Sequence, residues 1–488
     1  HSFPTRRSSD LDKQNIIVEK SFDFALDIIE FSEMITEKKR IPSARWLYVF
    51  LGLVIMMMLG TVYSWSVFRL PVEELYNVGS AQSGLPYMTA LLFYSLFMFF
   101  TGRYFKSWSP RATILVGSLL VSIGWILSAF APNIQVLTVT YGVISGAGVG
   151  IAYGAPLAVV TRWFPEKKGL VIGMVLLGFG LSPLLTAPLA RTLVEQYGVT
   201  KTFLVLGVVF GMLLPLLSMP FKYPERESVE SGDSSEKNAD TRDVTSAEMM
   251  KSANFKGLYF NFIIGTMIGL MMIGLTSNIG IELIGMAQKD VVLFISIFAV
   301  FNGVGRPVFG WLTDRLSAKK AMLFSYAQII LAASLMLLAK NGSIVLFFIA
   351  FSIFWFNVGG WLAIAPTATN NMYGPKHYSE NYGVVFTAYG IGAVLGVGSS
   401  GLLLDTFQNF DYIFYLVIVS CLIGYLLTLL FFKAKLGNKT NLTTVSSLFD
   451  SASRNNGDRS APLDELRETN SKAEAGIGTV NDRFPIET

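Results

Sequence analysis

About twelve runs of roughly 20 apolar residues recur along this chain, and no other feature limits its fold so severely. A hydrocarbon core about 30 Å thick is crossed by about 20 helical residues. Inside that core every backbone N–H and C=O must find its partner within the protein. The runs therefore predict transmembrane helices at roughly 46 to 68, 83 to 101, 112 to 131, 135 to 160, 169 to 190, 201 to 221, 256 to 277, 290 to 311, 320 to 340, 343 to 363, 382 to 404 and 411 to 433. Composition agrees: 52% of residues are apolar and 15% charged, against about 25% charge in a soluble domain. The single cysteine, Cys421, excludes an internal disulfide. With only His1 and His377 beside it, no metal site and no cofactor are expected.

The polar stretches divide the chain. Residues 1–45 read as a cytoplasmic N-terminal segment, and its opening, HSFPTRRSSDL, is set aside as a scar or mistranslated end because it has neither helical periodicity nor the regions of a signal peptide. An N-terminal six-helix bundle is expected over 46–221, a cytoplasmic linker over 222–254, and a C-terminal six-helix bundle over 255–433. Residues 434–488, rich in Ser, Asn, Thr and Asp, read as a disordered cytoplasmic tail. Alternating loops carry about 21 Lys and Arg on one side against about five on the other, which places both termini in the cytoplasm. The chain is thus expected in the plasma or inner membrane as a monomer, with the lipid bilayer and a small solute as partners and no nucleic acid.

Both halves carry a related loop after their second helix. In the second half it runs Gly310, Trp311, Leu312, Thr313, Asp314, Arg315, and in the first half Gly102 is followed by Arg103, with Lys106 where the acid would stand. Asp314 is expected to accept hydrogen bonds from the N-terminal amides of a neighbouring helix, where the dipole favours an anion. Gly310, Asp314 and Arg315 are accordingly candidate gating residues, the alternative being a solvated cluster that only sets topology. Gly142, Gly146, Gly150 and Gly154 line one face of predicted helix 4, Gly392, Gly396 and Ser400 one face of helix 11, and Gly169 and Gly173 recur in helix 5. Such faces read as close helix packing.

Arg306 is the one clear cation inside an apolar run. A charge at the bilayer centre costs about 2.5 to 3.5 kcal/mol on insertion scales, so it marks a functional site by default. No acid in the predicted spans stands out as its partner, and a free guanidinium grips a carboxylate through two hydrogen bonds. Asn302, one turn earlier on the same face, is a second candidate ligand. The alternative is that Arg306 snorkels to the interface or binds backbone carbonyls. Tyr63, Tyr153, Tyr389 and Asn357 complete the set of candidate substrate-binding residues, the tyrosines because their hydroxyls lie far from the helix ends and need partners.

These residues bring out a resemblance to the oxalate:formate antiporter family of the major facilitator superfamily, and to its lactate and monocarboxylate branch. It runs from Trp46 to Phe432 and rests on GTVYSWSVF (Gly60 to Phe68), TRWFPEKKG (Thr161 to Gly169), GFGLSP (Gly178 to Pro183), GRPVFGWLTDR (Gly305 to Arg315) and NYGVVFTAYG (Asn381 to Gly390). The resemblance implies an all-α major facilitator fold with 12 transmembrane helices in two pseudosymmetric six-helix bundles. It also implies that the arginine before Pro307 meets the substrate carboxylate. The oxalate carrier holds its dianion between two cations, and here those positions align with Ala299 and Tyr389. Where proton-coupled monocarboxylate carriers have an aspartate one turn before the arginine, Asn302 stands instead and cannot titrate.

The function expected is secondary transport of a small monocarboxylate, such as lactate, pyruvate or formate, by alternating access, as exchange or linked to protons. The alternatives are dicarboxylate exchange of the oxalate/formate type, carriage of an unrelated solute, and a non-transporting sensor. No enzyme is expected, since few side chains in the spans can do chemistry.

Overall fold

The computed structural model describes residues 44–104, 108–164, 168–224, 243–374 and 377–432. Most of the N-terminal segment, the centre of the linker and the whole tail expected to be disordered lie outside the described residues. Among the described residues eleven helices are long and apolar enough to cross a membrane. The first four are α1 (Arg45–Tyr76), α2 (Ser80–Tyr104), α3 (Pro110–Ser128) and α4 (Ile134–Trp163). The next, Leu170–Ser218, has 49 residues and would measure about 74 Å if straight, more than twice the thickness of the hydrocarbon core. Gly198 breaks it with φ 78° and ψ 167°, a conformation that a Cβ would strain. The part before Gly198 is α5 and the part after it α6. There follow α7 (Ala253–Leu283), α8 (Gln288–Leu316), α9 (Ala318–Leu337), α10 (Ile344–Tyr373), α11 (Glu380–Phe407) and α12 (Asp411–Phe431), which makes twelve crossings.

Several helices overrun their apolar runs: α1 continues to Tyr76 and α10 to Tyr373. Hydropathy marks the hydrocarbon thickness, whereas the hydrogen-bond ladder continues until a cap ends it. Local chemistry sets the starts. Ser109 accepts from the Ala112 amide ahead of Pro110, Asn133 from Val136, and Ser252 from Phe255. Within the stretch read as plain linker lies a short helix, Ser246–Lys251, closed by a capping box between Thr245 and Glu248. It is pinned to the ends of α10 and α11: the Ser246 hydroxyl donates to Asn381 Oδ1 at 2.8 Å, and the Val244 amide to the Tyr373 carbonyl at 3.1 Å.

The two halves repeat one packing scheme. In the first, α1 packs on α5, α2 and α3 on α4, and α3 on α6; in the second, α7 packs on α11, α8 and α9 on α10, and α9 on α12. Between the bundles α2 lies on α11 and α5 on α8, the same pairing with the halves exchanged. Three of the four glycines along α4 pack as expected, Gly142 on Thr89 and Gly146 and Gly150 on the backbone of α2, but Gly154 faces nothing within 4 Å among the described residues. Gly173 likewise meets no neighbour among the described residues, and the close approach of α5 to α1 is made at Gly178, against Leu53, and at Gly60 of α1, against the Phe179 backbone.

Candidate functional site

Asn302 and Arg306 lie one turn apart on α8, where it crosses α5 of the other bundle. Arg306 is 4% exposed, so it does not snorkel, and its Nη1 donates to the Leu176 carbonyl of α5 at 2.7 Å. That contact is half of what a carbonyl-binding role would need, because among the described residues Nε and Nη2 make no hydrogen bond of good geometry, although the Tyr153 hydroxyl lies beside the guanidinium. Asn302 is fully buried, and neither amide atom has a partner among the described residues. An unsatisfied buried polar group costs about 1 to 3 kcal/mol, and more when charged. Four such atoms at one interface therefore make a strong demand for an acceptor and a donor. Opposite them is Gly180 of α5, close enough that a Cβ there would stand 2.9 Å from Asn302 Oδ1 and 3.2 Å from Arg306 Nε.

Beside this pair lies a cluster of rings. The Phe179 centroid is 5.9 Å from the Arg306 guanidinium carbon, and it packs at 5.1 Å on Tyr63, 5.8 Å on Tyr94 and 5.4 Å on Tyr153. Tyr389 stacks on Phe386 at 4.9 Å, and its hydroxyl shares a 2.9 Å hydrogen bond with that of Tyr63, joining α1 to α11 across the bundles. Tyr63 lies within electrostatic reach of Arg306, and the Tyr153 hydroxyl within hydrogen-bonding reach of it. Five of the six expected binding residues therefore belong to one neighbourhood. Asn357 does not join it. Its amide donates to Gln328 of α9 at 3.2 Å and to the Ile353 carbonyl at 2.8 Å, inside the second bundle.

Sequence reasoning missed Phe179, Gly180, Tyr94 and Phe386. The first two were visible in GFGLSP, but nothing in their residue types marked a role. It also passed over Arg69, one residue beyond the first apolar run, so Arg306 is not the single buried cation. Arg69 is 1% exposed and fully engaged: Nε donates to Ser83 Oγ at 3.2 Å, Nη1 to the Gly274 carbonyl of α7 at 3.2 Å and Nη2 to the Ser80 carbonyl at 2.7 Å, with Glu73 3.4 Å away. Ser80 carries the connection onward, since its amide and that of Ala81 donate to the Asp405 carboxylate of α11 at 2.8 and 2.9 Å. One arginine and one aspartate thus tie four helices of both bundles at the end where α1 turns into α2.

The expected gating residues sit at the opposite end. Asp314 accepts from the Asn371 side chain at 3.0 Å, in the last turn of α10, instead of from a helix N-terminus. The reason is geometric: the helix that ends beside it, α10, presents its C-terminal turn there. Arg315 is exposed, and Gly310 approaches Ala363 of α10. The helix N-terminus that does hold an aspartate between bundles is that of α2, at Asp405.

A family model described as Major Facilitator Superfamily matches residues 46–397 and, in a second overlapping match, 258–469. The chain is 27% identical over 366 residues to "Oxalate:formate antiporter" of Oxalobacter formigenes, which covers 74% of this chain and 86% of that protein. It is 25% identical over 404 residues to "Monocarboxylate transporter 14" of Homo sapiens, covering 68% of this chain and 79% of that one. The fold aligns with the crystal structure of a bacterial homologue of the human lysosomal transporter Spinster, inward-facing and unoccupied, at TM-score 0.63 and 14% identity over 80% of this chain and 97% of that chain. The resemblance read from five short motifs is therefore spread along most of the chain. A family match of that length, on twelve crossings whose packing repeats between halves, leaves one reading: the chain belongs to the major facilitator superfamily and is a multi-pass membrane transporter, not an enzyme.

Proposed function

We propose that this transporter carries small monocarboxylates, of the lactate, pyruvate or formate class, by alternating access of its two bundles around the α5–α8 crossing. One observation carries the reading: among the described residues two guanidinium nitrogens of Arg306, with the Tyr153 hydroxyl beside them, and both amide atoms of Asn302 lack a well-formed hydrogen bond at a buried interface between the bundles. A carboxylate is the acceptor that fits a planar fork of N–H donors. The substrate's second polar group, a hydroxyl or carbonyl, would then fall to Asn302.

A monoanion suits the charge. Ala299 is buried and uncharged, and the Tyr389 hydroxyl is engaged with Tyr63, so neither position supplies the second cation that a dianion needs. Asn302 in place of an acid favours exchange over a proton relay in α8. We place both termini in the cytoplasm of a cell with its plasma membrane as the site of action, on the Lys and Arg count of the loops.

The test is uptake of labelled lactate into vesicles holding the purified protein, with unlabelled lactate, pyruvate or formate inside. Expected is uptake that depends on the internal acid and is blocked by millimolar external pyruvate. Failure of all three acids to be carried or to compete with a carried solute would end the carboxylate reading. In the same vesicles Asn302→Asp should introduce a pH dependence that the parent lacks.

A further inference from the structure

The helical turns that lead into α11 begin at Tyr378. From there Tyr378, Tyr382, Phe386 and Tyr389 follow at the spacings of four, four and three that put side chains on one face, with ring centroids 5.7, 5.6 and 4.9 Å apart. Phe386 also meets Tyr94 at 5.3 Å and Tyr153 at 6.3 Å, and Tyr382 lies within electrostatic reach of Tyr153 and Arg306. The column of rings therefore runs from the Arg306 neighbourhood toward the end of the molecule that the linker joins. Along this column the seam between α2 and α11 widens. A Cβ at Gly401 would stand 2.5 Å from the Ala81 α-carbon and one at Gly390 would overlap Ser95, whereas one at Gly383, next to Tyr382, would clear Phe99 at 3.7 Å.

Where the seam is wide, α11 is held from its own bundle. Asn381 uses both ends of its amide on the segment before α7: Oδ1 accepts from Ser246 Oγ at 2.8 Å, and Nδ2 donates to the Val244 carbonyl at 2.9 Å. Tyr373, which ends α10, is also held twice, its carbonyl by the Val244 amide at 3.1 Å and its hydroxyl by Ser252 Oγ at 3.0 Å. Ser252 is at the same time the N-cap of α7, and Met249 of the short helix is fully buried. Val244, Ser246 and Ser252 thus join the linker-side ends of α7, α10 and α11. We propose that the Ser246–Lys251 helix is a strap on a lid: it holds α11, with Tyr382 and Phe386, closed on the Arg306 neighbourhood, and releases when the protein opens toward the linker. This strap rests on reading that neighbourhood as the transport site. A hydrogen bond exchanged for one to water shifts an equilibrium by about two- to tenfold. A few such bonds are enough to bias the lid and few enough for a transport cycle to break.

The experiment reads the lid directly, with spin labels at Tyr104 and Asn370, exposed at the linker ends of α2 and α10, in a Cys421→Ser background. Asn381→Ala, which removes both bonds to α11, should raise the longer-distance population about three- to tenfold over the parent, and Ser246→Ala, which removes one, should raise it less. Labels at Glu74 and Phe407, at the other end, should gain no longer distance. A purely structural helix makes a different forecast: a lowered melting temperature or yield in Asn381→Ala with the distances unchanged, and that result would overturn the strap. A second arm joins Ser246→Cys to Asn381→Cys with a short reducible thiol cross-linker. Lactate exchange should fall at least about tenfold and return on reduction; exchange at the uncross-linked rate would make the helix a fixed part of its bundle and overturn the proposal, even if Asn381→Ala cannot be recovered folded. If the parent carries neither lactate, pyruvate nor formate, the carboxylate reading fails, and the distances alone decide for or against the strap.

Discussion

Arg69 in α1 and Arg306 in α8 are equally hidden, at 1% and 4% exposure, and the contrast between them is in their partners. Every nitrogen of Arg69 is engaged, and Glu73 lies beside it on the same helix. Arg306 has one carbonyl, at Leu176, and among the described residues no well-formed hydrogen bond on its other two nitrogens, with the Tyr153 hydroxyl beside them. Burial says that a cation was expensive to place; satisfaction says what it is for. Arg69 uses its donors to hold α1, α2 and α7 together, whereas on the proposed reading Arg306 keeps two for a carboxylate that arrives from outside. The same distinction separates the two aspartates: Asp405 joins the bundles through the α2 N-terminus, and Asp314 only ties α8 to α10 within one bundle.

The largest effect should come from Arg69→Ala. Removing one partner of a buried, hydrogen-bonded ion pair costs about 3 to 5 kcal/mol, so the variant should show a lowered melting temperature in detergent and poor recovery. A well-folded Arg69→Ala with normal stability would remove the contrast. Arg306→Ala should do the reverse, keeping the fold while losing about 2 to 5 kcal/mol of carboxylate binding. Arg306→Lys, which keeps the charge without the fork, should fall between. If Arg306→Ala melts as Arg69→Ala does, both arginines are structural and the substrate must be sought among the tyrosines.

Asp405→Asn should have a smaller effect. Its two hydrogen bonds survive in part, but the attraction between a carboxylate and a helix N-terminus, about 0.3 to 1 kcal/mol, is lost. Spin labels at Glu74 and Phe407, exposed on either side of the contact, should show a population at longer distance that the parent lacks. Asp314→Asn should leave that distribution unchanged and lower turnover least. Unaltered distances in Asp405→Asn, or a large transport defect in Asp314→Asn alone, would support the gate expected at Gly310, Asp314 and Arg315. The side of the membrane can be read independently in a Cys421→Ser background: cysteines at Asn133 and Asn409 should react with an impermeant maleimide added to intact cells, and one at Ser235 should not.

Much of the architecture was legible before any coordinates. Twelve apolar runs, a polar stretch between the sixth and seventh, and the loop from Gly310 to Arg315 are local facts, and bilayer thickness converts them directly into helices. Arg306 was legible for a related reason, since an arginine in the middle of an apolar run is conspicuous by cost alone. Arg69 was not, because it stands where an interface cation would stand and only the return of α2 and α7 buries it. Asn357 shows the opposite case: its position in an apolar run suggested a ligand, and α9 supplied Gln328 to its amide nitrogen, while its Oδ1 has no partner among the described residues.

What the sequence by itself determined is therefore whatever depends on neighbours along the chain: which segments lie in hydrocarbon, where their caps fall, and which residue types are costly there. What only the tertiary structure decided is which costly residues are satisfied. The Tyr63–Tyr389 bond joins residues 326 positions apart, and the reach of Arg306 to Leu176 spans 130. Hydrogen-bond satisfaction is a property of the surroundings of an atom, and in a helical bundle those surroundings come from other helices. Gly180 makes the point most plainly, because a residue without a side chain carries no signal of its own, and its meaning lies wholly in the groups that face it.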